Sequence, residues 1–377
     1  MHREKIKSLN YLDYFQENQA DVSLKYLLQS KSPTEGSKVL FVAGVHGDET
    51  APVAALIKLH KIFNAKPELL LKGTTSFLLA NPIAFKKGMR YVQYDLNRCF
   101  QESVEDVSTI EGKRVSSIRE YFAKTEFDIV LDLHSMLVGE FRLVIFEKNQ
   151  VDSINYLDKT SDIGYYATYQ NNFTHNSLLS EFSNKKGVQT FGIECGNNKS
   201  IKTVSVAFDQ MVRTLEYLEM IQVDSIPLMG RVEKTDFIQI FDIRETIKPH
   251  PGFNFVDPDV KTGSYIKKGQ IYATYKNGYN LAHENLNLLL PKTSLEKTIK
   301  KLVTLLRFID SKGKYSINEN KKLPSVAFFV CNCLIFGFLN YISNGNIRKL
   351  IRWYHKGSSL RIIIDYPKFP VIGCVKC

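Results

Sequence analysis

Residues 39–51, Val-Leu-Phe-Val-Ala-Gly-Val-His-Gly-Asp-Glu-Thr-Ala, limit what this chain can fold into more than any other stretch. Val39 to Ala43 form an unbroken apolar run rich in β-branched and aromatic residues, the pattern of a strand buried on both faces. Gly44 ends the run. Polar His46, Asp48 and Glu49 follow, and a helical pattern begins near Thr50 with Val53, Leu56, Ile57 and Leu59. A buried strand that turns directly into a helix belongs to an α/β sheet, and such sheets present their functional groups at the carboxyl ends of the strands. His46 and Glu49, three residues apart on that turn, can close on one divalent metal, with nitrogen and oxygen each about 2.0–2.2 Å from a zinc ion. Gly44 and Gly47 permit the tight backbone this requires.

The rest of the chain repeats the theme. Residues 1–37 read as an irregular polar lead-in. Thr74 to Ala80 is a second strand that runs into Asn81-Pro82, where the proline starts a loop to Phe100 carrying Arg90, Asp95, Asn97 and Arg98. A helix is expected from about Gly112 to Lys124, then a strand Phe127 to His134. Further strands are expected over Phe141 to Phe146 and Gln189 to Ile193, and a helix over Val204 to Ile221. Strands alternating with helices predict an α/β catalytic domain over 1–226 with a largely parallel or mixed sheet. After Pro227, short alternating runs broken by Gly, Pro, Asn and Asp predict a small β-rich domain over 227–310, closed by a helix from about Ser294.

The net charge of +11 is unevenly placed: residues 311–377 carry 11 Lys or Arg against only Glu319 and Asp365, which leaves 39 basic and 37 acidic residues for 1–310. The body is therefore near neutral and gives no general electrostatic reason to bind nucleic acid. The basic tail also holds Val326 to Ile342, 17 residues without a charge. That is short of the roughly 20 needed to span a bilayer, so membrane contact is expected only there, the alternatives being a peripheral helix or an appended segment. Met1 to Ser30 is polar and charged, with no apolar core of a secretory signal, and the expected location is cytoplasmic. Cys374 and Cys377 have CxxC spacing but Cys331 and Cys333 do not, so no two-pair zinc module is completed. Cys99 and Cys195 are expected to be small buried thiols, and no disulfides are expected.

Four polar residues follow the buried strands: His46 and Glu49 after the first, His134 after another, Glu194 after a third. Two histidines and a glutamate leave a coordination position open, the arrangement by which zinc lowers the pKa of water to about 7 and polarises a carbonyl. Glu194, in Phe-Gly-Ile-Glu-Cys-Gly, is then the general base that takes the water proton and returns it to the leaving amine. Arg90 can face the developing oxyanion, and Asn97 with Arg98 can grip a carboxylate at two points, so an anionic substrate is expected. A salt-bridged loop in which Asp95 pairs with Arg98 is the plainer reading of the same residues.

His-Gly-Asp-Glu-Thr-Ala-Pro (46–52), Asn-Pro-Ile-Ala-Phe-Lys-Lys-Gly-Met-Arg-Tyr (81–91), Asp-Leu-Asn-Arg-Cys-Phe (95–100), Asp-Leu-His-Ser (132–135) and Gly-Ile-Glu-Cys-Gly (192–196) occur in that order. Over about 39–310 the chain resembles the succinylglutamate desuccinylase and aspartoacylase family, and most closely its desuccinylase branch. The resemblance implies a carboxypeptidase-like, mixed-sheet catalytic domain followed by a small β domain. It also implies one zinc ion per chain on His46, Glu49 and His134, with Glu194 as catalytic acid and base and Arg90 polarising the scissile carbonyl. Asn97 and Arg98 would hold the α-carboxylate of the amino acid. Apart from the resemblance, the cationic Arg142, in Glu-Phe-Arg-Leu, is a candidate for the far carboxylate of a succinyl group. Where aspartoacylases have an arginine shortly before the catalytic glutamate, this chain has Asn184-Lys185-Lys186.

The function expected is hydrolysis of N-succinylglutamate to succinate and glutamate, in arginine breakdown through succinylated intermediates. An aspartoacylase-type deacylase and a metallocarboxypeptidase are the enzymatic alternatives, and a membrane-tethered, non-catalytic binding protein is the third. Oligomeric state is not legible from the sequence.

Overall fold

Strand β2 (Lys38–Ala43) has only its first residue exposed, as its apolar run requires. In the computed structural model, which describes residues 2–20, 23–100, 108–136, 141–147, 153–161, 163–169, 177–183, 187–230, 239–243, 245–247, 252–260, 264–289, 302–304, 351–356, 359–364 and 371–376, the chain divides into two units, Met1–Lys234 and Thr235–Cys377.

In the first unit β2 is joined by β1 (Leu27–Lys31), β3 (Thr74–Leu79), β4 (Ile129–Met136), β5 (Leu143–Glu147), β6 (Tyr165–Tyr169) and β7 (Gln189–Asn197). They lie in the order β1-β3-β2-β4-β7-β5-β6. Strands β3, β2, β4 and β7 are mutually parallel, β1 is antiparallel at one edge, and β5 with β6 runs against β7. The sheet is mixed and the fold class is α/β, as expected.

The helices are α1 (His2–Glu17), α2 (Thr50–Ala65), α3 (Pro82–Lys87), α4 (Ile110–Ala123), α5 (Ser153–Thr160), α6 (Leu178–Ser183) and α7 (Ile201–Tyr217). Alternation along the buried strands separates two apolar layers. Leu40 and Val42 of β2, Leu78 of β3 and Val130 of β4 pack with Val115, Ile118 and Phe122 of α4 and with Leu178 and Phe182 of α6. Phe41 and Phe77, one residue out of phase, meet each other, and Phe77 meets His60 of α2, which packs beside α7. Side chains leaving the carboxyl ends of β2 and β4 are thereby held by packing on both faces.

Several expectations change. The lead-in is not irregular, because Leu12 and Phe15 are buried and Tyr14 bonds His60 Nδ1 at 2.8 Å, giving α1 an apolar face the sequence reading overlooked. The loop after Asn81 begins as a helix: Pro82 sits at its first turn, where a missing N–H costs nothing, and Asn81 caps it by accepting the Ala84 N–H at 3.2 Å. Strands β4 and β7 run on through His134 and Glu194, so both residues lie inside strands rather than after them.

The second unit holds β8 (Gln239–Asp242), β9 (Glu245–Ile247), β10 (Asn254–Phe255), β11 (Tyr265–Ile266), β12 (Ile271–Tyr275), β13 (Gly278–Leu281), β14 (Leu286–Leu289) and β15 (Leu302–Thr304). They include a β10-β12-β13 sheet and a β11-β14-β15-β9 sheet around Val260, Ile266, Tyr272, Ala273, Ala282, Leu286 and Leu288. Leu302–Thr304 is a strand where the sequence suggested a continuing helix; the start of that helix at Ser294 lies outside the described residues. In the tail, β16 (Ile351–Lys356), β17 (Ser359–Ile364) and β18 (Val371–Lys376) form an antiparallel three-stranded sheet. Residues 326–342 lie outside the described residues, and among those described no helix is long and apolar enough to cross a membrane.

Candidate metal centre

The turn after β2 is shaped by two glycines for different reasons. Gly44 has a left-handed φ of 66°. Gly47 gives room instead: a Cβ there would overlap the backbone of Ala84 and Phe85. The turn ends on Glu49 at the N-cap of α2, a position where a short polar side chain normally bonds the helix amides. Glu49 makes no such bond. Its carboxylate is turned away from the helix: Oε1 lies 2.7 Å from His46 Nδ1, and Oε2 lies 3.1 Å from His134 Nδ1 and accepts the Ser135 N–H at 2.9 Å.

His46, Glu49 and His134 are all buried, each offers one ligand atom, and those atoms lie within 4.8 Å of one another. On the far side of each ring stands another carboxylate, Asp95 Oδ1 at 3.2 Å from His46 Nε2 and Asp132 Oδ2 at 2.9 Å from His134 Nε2. A carboxylate that accepts the Nε2 proton leaves the Nδ1 lone pair facing Glu49, the tautomer a metal-binding histidine needs. Two lone-pair atoms 2.7 Å apart, as at His46 and Glu49, require a cation between or beside them, a proton or a metal ion. Burial works against ionising Glu49, but His46 and His134 outweigh it and hold the carboxyl well below its usual range. Burial also opposes charge on His134, but Asp132 and Glu49 prevail and its pKa rises.

Asp132 was not singled out in the sequence, although its signal was there. Two residues before His134 on one strand, it faces the same side of the sheet. The plainer reading pairs Asp95 with Arg98, but the hydrogen-bonded partners of the Asp95 carboxylate are His46, the Asn97 N–H at 3.1 Å and Arg90 Nη2 at 3.4 Å.

Glu194 is placed by register: in the β4–β7 ladder it is the direct partner of His134. Its carboxyl is raised in pKa by burial, against the pull of His134. Glu194 Oε2, Asp48 Oδ1 and Arg90 Nε are buried and have no hydrogen-bond partner among the described residues. Unpaired buried polar atoms are costly, and three of them beside a His-Glu-His cluster are what a site for an ion and a polar ligand leaves behind. The donor set, two imidazoles and one carboxylate with carboxylates behind both rings, fits zinc.

Asn198 ties the elements together. Its Oδ1 accepts the Ala51 N–H at 3.1 Å and the Ser135 hydroxyl at 3.2 Å, and its Nδ2 donates to the Asp48 carbonyl.

The loop residues are arranged differently. Arg90 is 35% exposed at its side chain and reaches Glu49 at 3.6 Å and Asp95 at 3.4 Å. Asn97 Oδ1 accepts the Leu178 N–H at 3.0 Å, so its amide is partly committed to the scaffold. Arg98 is exposed and bonds the Asn97 carbonyl at 2.6 Å. Arg142 precedes Leu143, the register partner of Glu194, and makes no hydrogen bond or ion pair among the described residues; its charge is felt at the buried Cys195. Residues 184–186 lie outside the described residues.

A family model described as the succinylglutamate desuccinylase/aspartoacylase catalytic domain matches residues 35–221. The succinylglutamate desuccinylase of Pseudomonas aeruginosa (strain LESB58) is 28% identical over 250 residues, 63% of this chain and 74% of that protein. The solved succinylglutamate desuccinylase of Vibrio parahaemolyticus matches with a TM-score of 0.56 at 19% identity, over 74% of this chain and 86% of that one. The product-bound ectoine utilization protein EutE (DoeB) of Ruegeria pomeroyi also reaches 0.56, at 15% identity, over 74% of this chain and 87% of that one. The two structural likenesses establish the fold, and the ordered motifs and the family model supply the rest. The chain belongs to the succinylglutamate desuccinylase/aspartoacylase family.

Proposed function

We propose that this protein is a zinc-dependent amidohydrolase of N-acyl amino acids, with N-succinylglutamate as its first substrate and succinate and glutamate as products. The observation that carries the reading is the buried convergence of His46, Glu49 and His134 within 4.8 Å, with Glu194 opposite His134 in the ladder. His46, Glu49 and His134 would hold the ion, which when bound supplies Lewis-acid polarisation of the scissile carbonyl and acidifies water. Glu194 removes one proton from the attacking water as its oxygen bonds the acyl carbon, and delivers that proton to the amide nitrogen as the carbon–nitrogen bond breaks. The raised pKa of Glu194 suits both halves of that transfer. Arg90 faces the oxygen that gains charge. Asn97 and Arg98 hold the α-carboxylate, and Arg142 meets the distal carboxylate of the acyl group.

The succinyl group is favoured by the desuccinylase-type motifs around His46 and Arg90 and by the Pseudomonas relative. The reading places the protein in arginine breakdown in the cytoplasm, which suits the buried Cys99 and Cys195, neither of which is in a disulfide.

The test is turnover of succinylglutamate, acetylaspartate and a short peptide, each assayed after chelation and after zinc restoration. Succinylglutamate should be cleaved fastest, activity should vanish on chelation and return with zinc, and Glu194→Gln should keep the metal and lose about 10²–10⁴ in kcat. Zinc-loaded protein inert toward all three would overturn the assignment, and preference for the peptide would select the carboxypeptidase alternative.

A further inference from the structure

The loop 90–98 carries four of the charged or amide groups of the site, yet its outward side chains, Gln93, Tyr94 and Arg98, are exposed and cannot hold it by packing. Leu96 is the one side chain of the loop buried in the core, and the stretch before it is held from underneath. Glu111, in the first turn of α4, is fully buried, and its carboxylate accepts three consecutive backbone amides: Val92 at 2.6 Å, Gln93 at 3.2 Å and Tyr94 at 3.3 Å. Asn81 Nδ2, from the cap of α3, approaches the same carboxylate at 3.5 Å. The strap is reciprocal, because Gln93 Oε1 accepts the Ile110 N–H at 2.7 Å. Beyond this point the loop is tied by the Arg90 carbonyl to the Gly47 N–H at 3.1 Å and by Asn97 to Leu178.

We propose that Glu111 is a positioning residue that fixes loop 90–98 from below, setting the spacing between Arg90 on one side and Asn97 with Arg98 on the other. An ionised carboxylate has the acceptor capacity for several N–H groups at once, and no neutral side chain of similar length does. Burying it without those donors would be costly, so the chemistry of the residue and the shape of the loop depend on each other. The role in substrate placement rests on the amidohydrolase reading above; the role in holding the loop does not.

Glu111→Gln replaces one acceptor oxygen with an NH2 that confronts backbone N–H groups. Gln93→Ala loosens the same strap from an exposed position, without disturbing the buried carboxylate. Hydrogen exchange measured by mass spectrometry should show amides 92–98 exchanging about tenfold or more faster in Glu111→Gln, and to a lesser degree in Gln93→Ala, while β2 and β4 keep their protection. In active enzyme, KM for succinylglutamate should rise about tenfold or more with kcat changed less, and zinc content should stay equal to wild type. Unchanged loop exchange, acceleration spread equally over β2 and β4, or a loosened loop with unaltered kinetics would each overturn the proposal. If wild-type protein turns over no N-acyl amino acid, the functional reading fails while the exchange experiment still decides whether Glu111 holds the loop.

Discussion

The site has two halves built by different means. His46, Glu49, His134 and Glu194 stand on or beside sheet strands and are aligned by ladder register and by carboxylates behind the rings; the first three are buried, and Glu194 is half-buried with its Oε2 covered. Arg90, Asn97 and Arg98 stand on a loop with at most one turn of regular structure, reach partly or fully into solvent, and are held through backbone bonds to Glu111 and through Asp95. Groups that would share one small ion need positions set to tenths of an ångström, which only the packed sheet supplies. Groups that would meet an incoming substrate can stand on a loop, provided something beneath it is rigid.

If the halves are separable, damage to the loop half should spare the metal. Arg90→Met is expected to lower kcat by about 10²–10³, the usual loss for one oxyanion donor, with zinc content unchanged by elemental analysis. Concurrent loss of zinc would merge the two halves into one. The reverse cut is Asp132→Asn, which keeps the shape behind His134 but removes the charge. It should weaken zinc affinity about 10–100-fold in chelator competition, with KM little changed once the protein is saturated. A variant that bound zinc normally would show that Asp132 serves packing alone.

The smallest effect at the site is expected from His60, which belongs to neither half. Burial lowers its pKa to about 4 from 6.5. The unfolded state therefore takes up the proton first, so stability from the neutral, Tyr14-bonded ring is complete above about pH 6.5 and declines as pH falls toward 4. The full decline is on the order of 3 kcal/mol by linkage. Urea unfolding at pH 7.5 and 4.5 should show a flatter acid limb for His60→Phe, with zinc content and KM at pH 7.5 unchanged. An identical limb in the two proteins would remove His60 from the account.

Much of this was legible in the residues. The buried strand at 39–43, the polar turn behind it and the alternation of strands and helices follow from local patterns of polarity, and the structure bears them out. The aromatic residues of α1 were misread because a helix with polar residues on most of its surface looks irregular until a partner covers its one apolar face. The helix at Pro82 was missed for a related reason: proline stops a strand but equally starts a helix, and the Asn81 cap decides which.

The chain's linear order determined which side chains are at hand for chemistry: two imidazoles, two glutamates and a loop of arginines, each next to a strand pattern that would bring it to one edge of a sheet. Only the tertiary structure decided that His134 and Glu194 stand opposite each other, that Asp95 backs His46 rather than pairing with Arg98, and that Glu111 holds the loop. Polarity and periodicity act between neighbours in the chain and so can be read from it. Register and side-chain-to-backbone bonds join residues 17 to 86 positions apart, and only the packed sheet selects them.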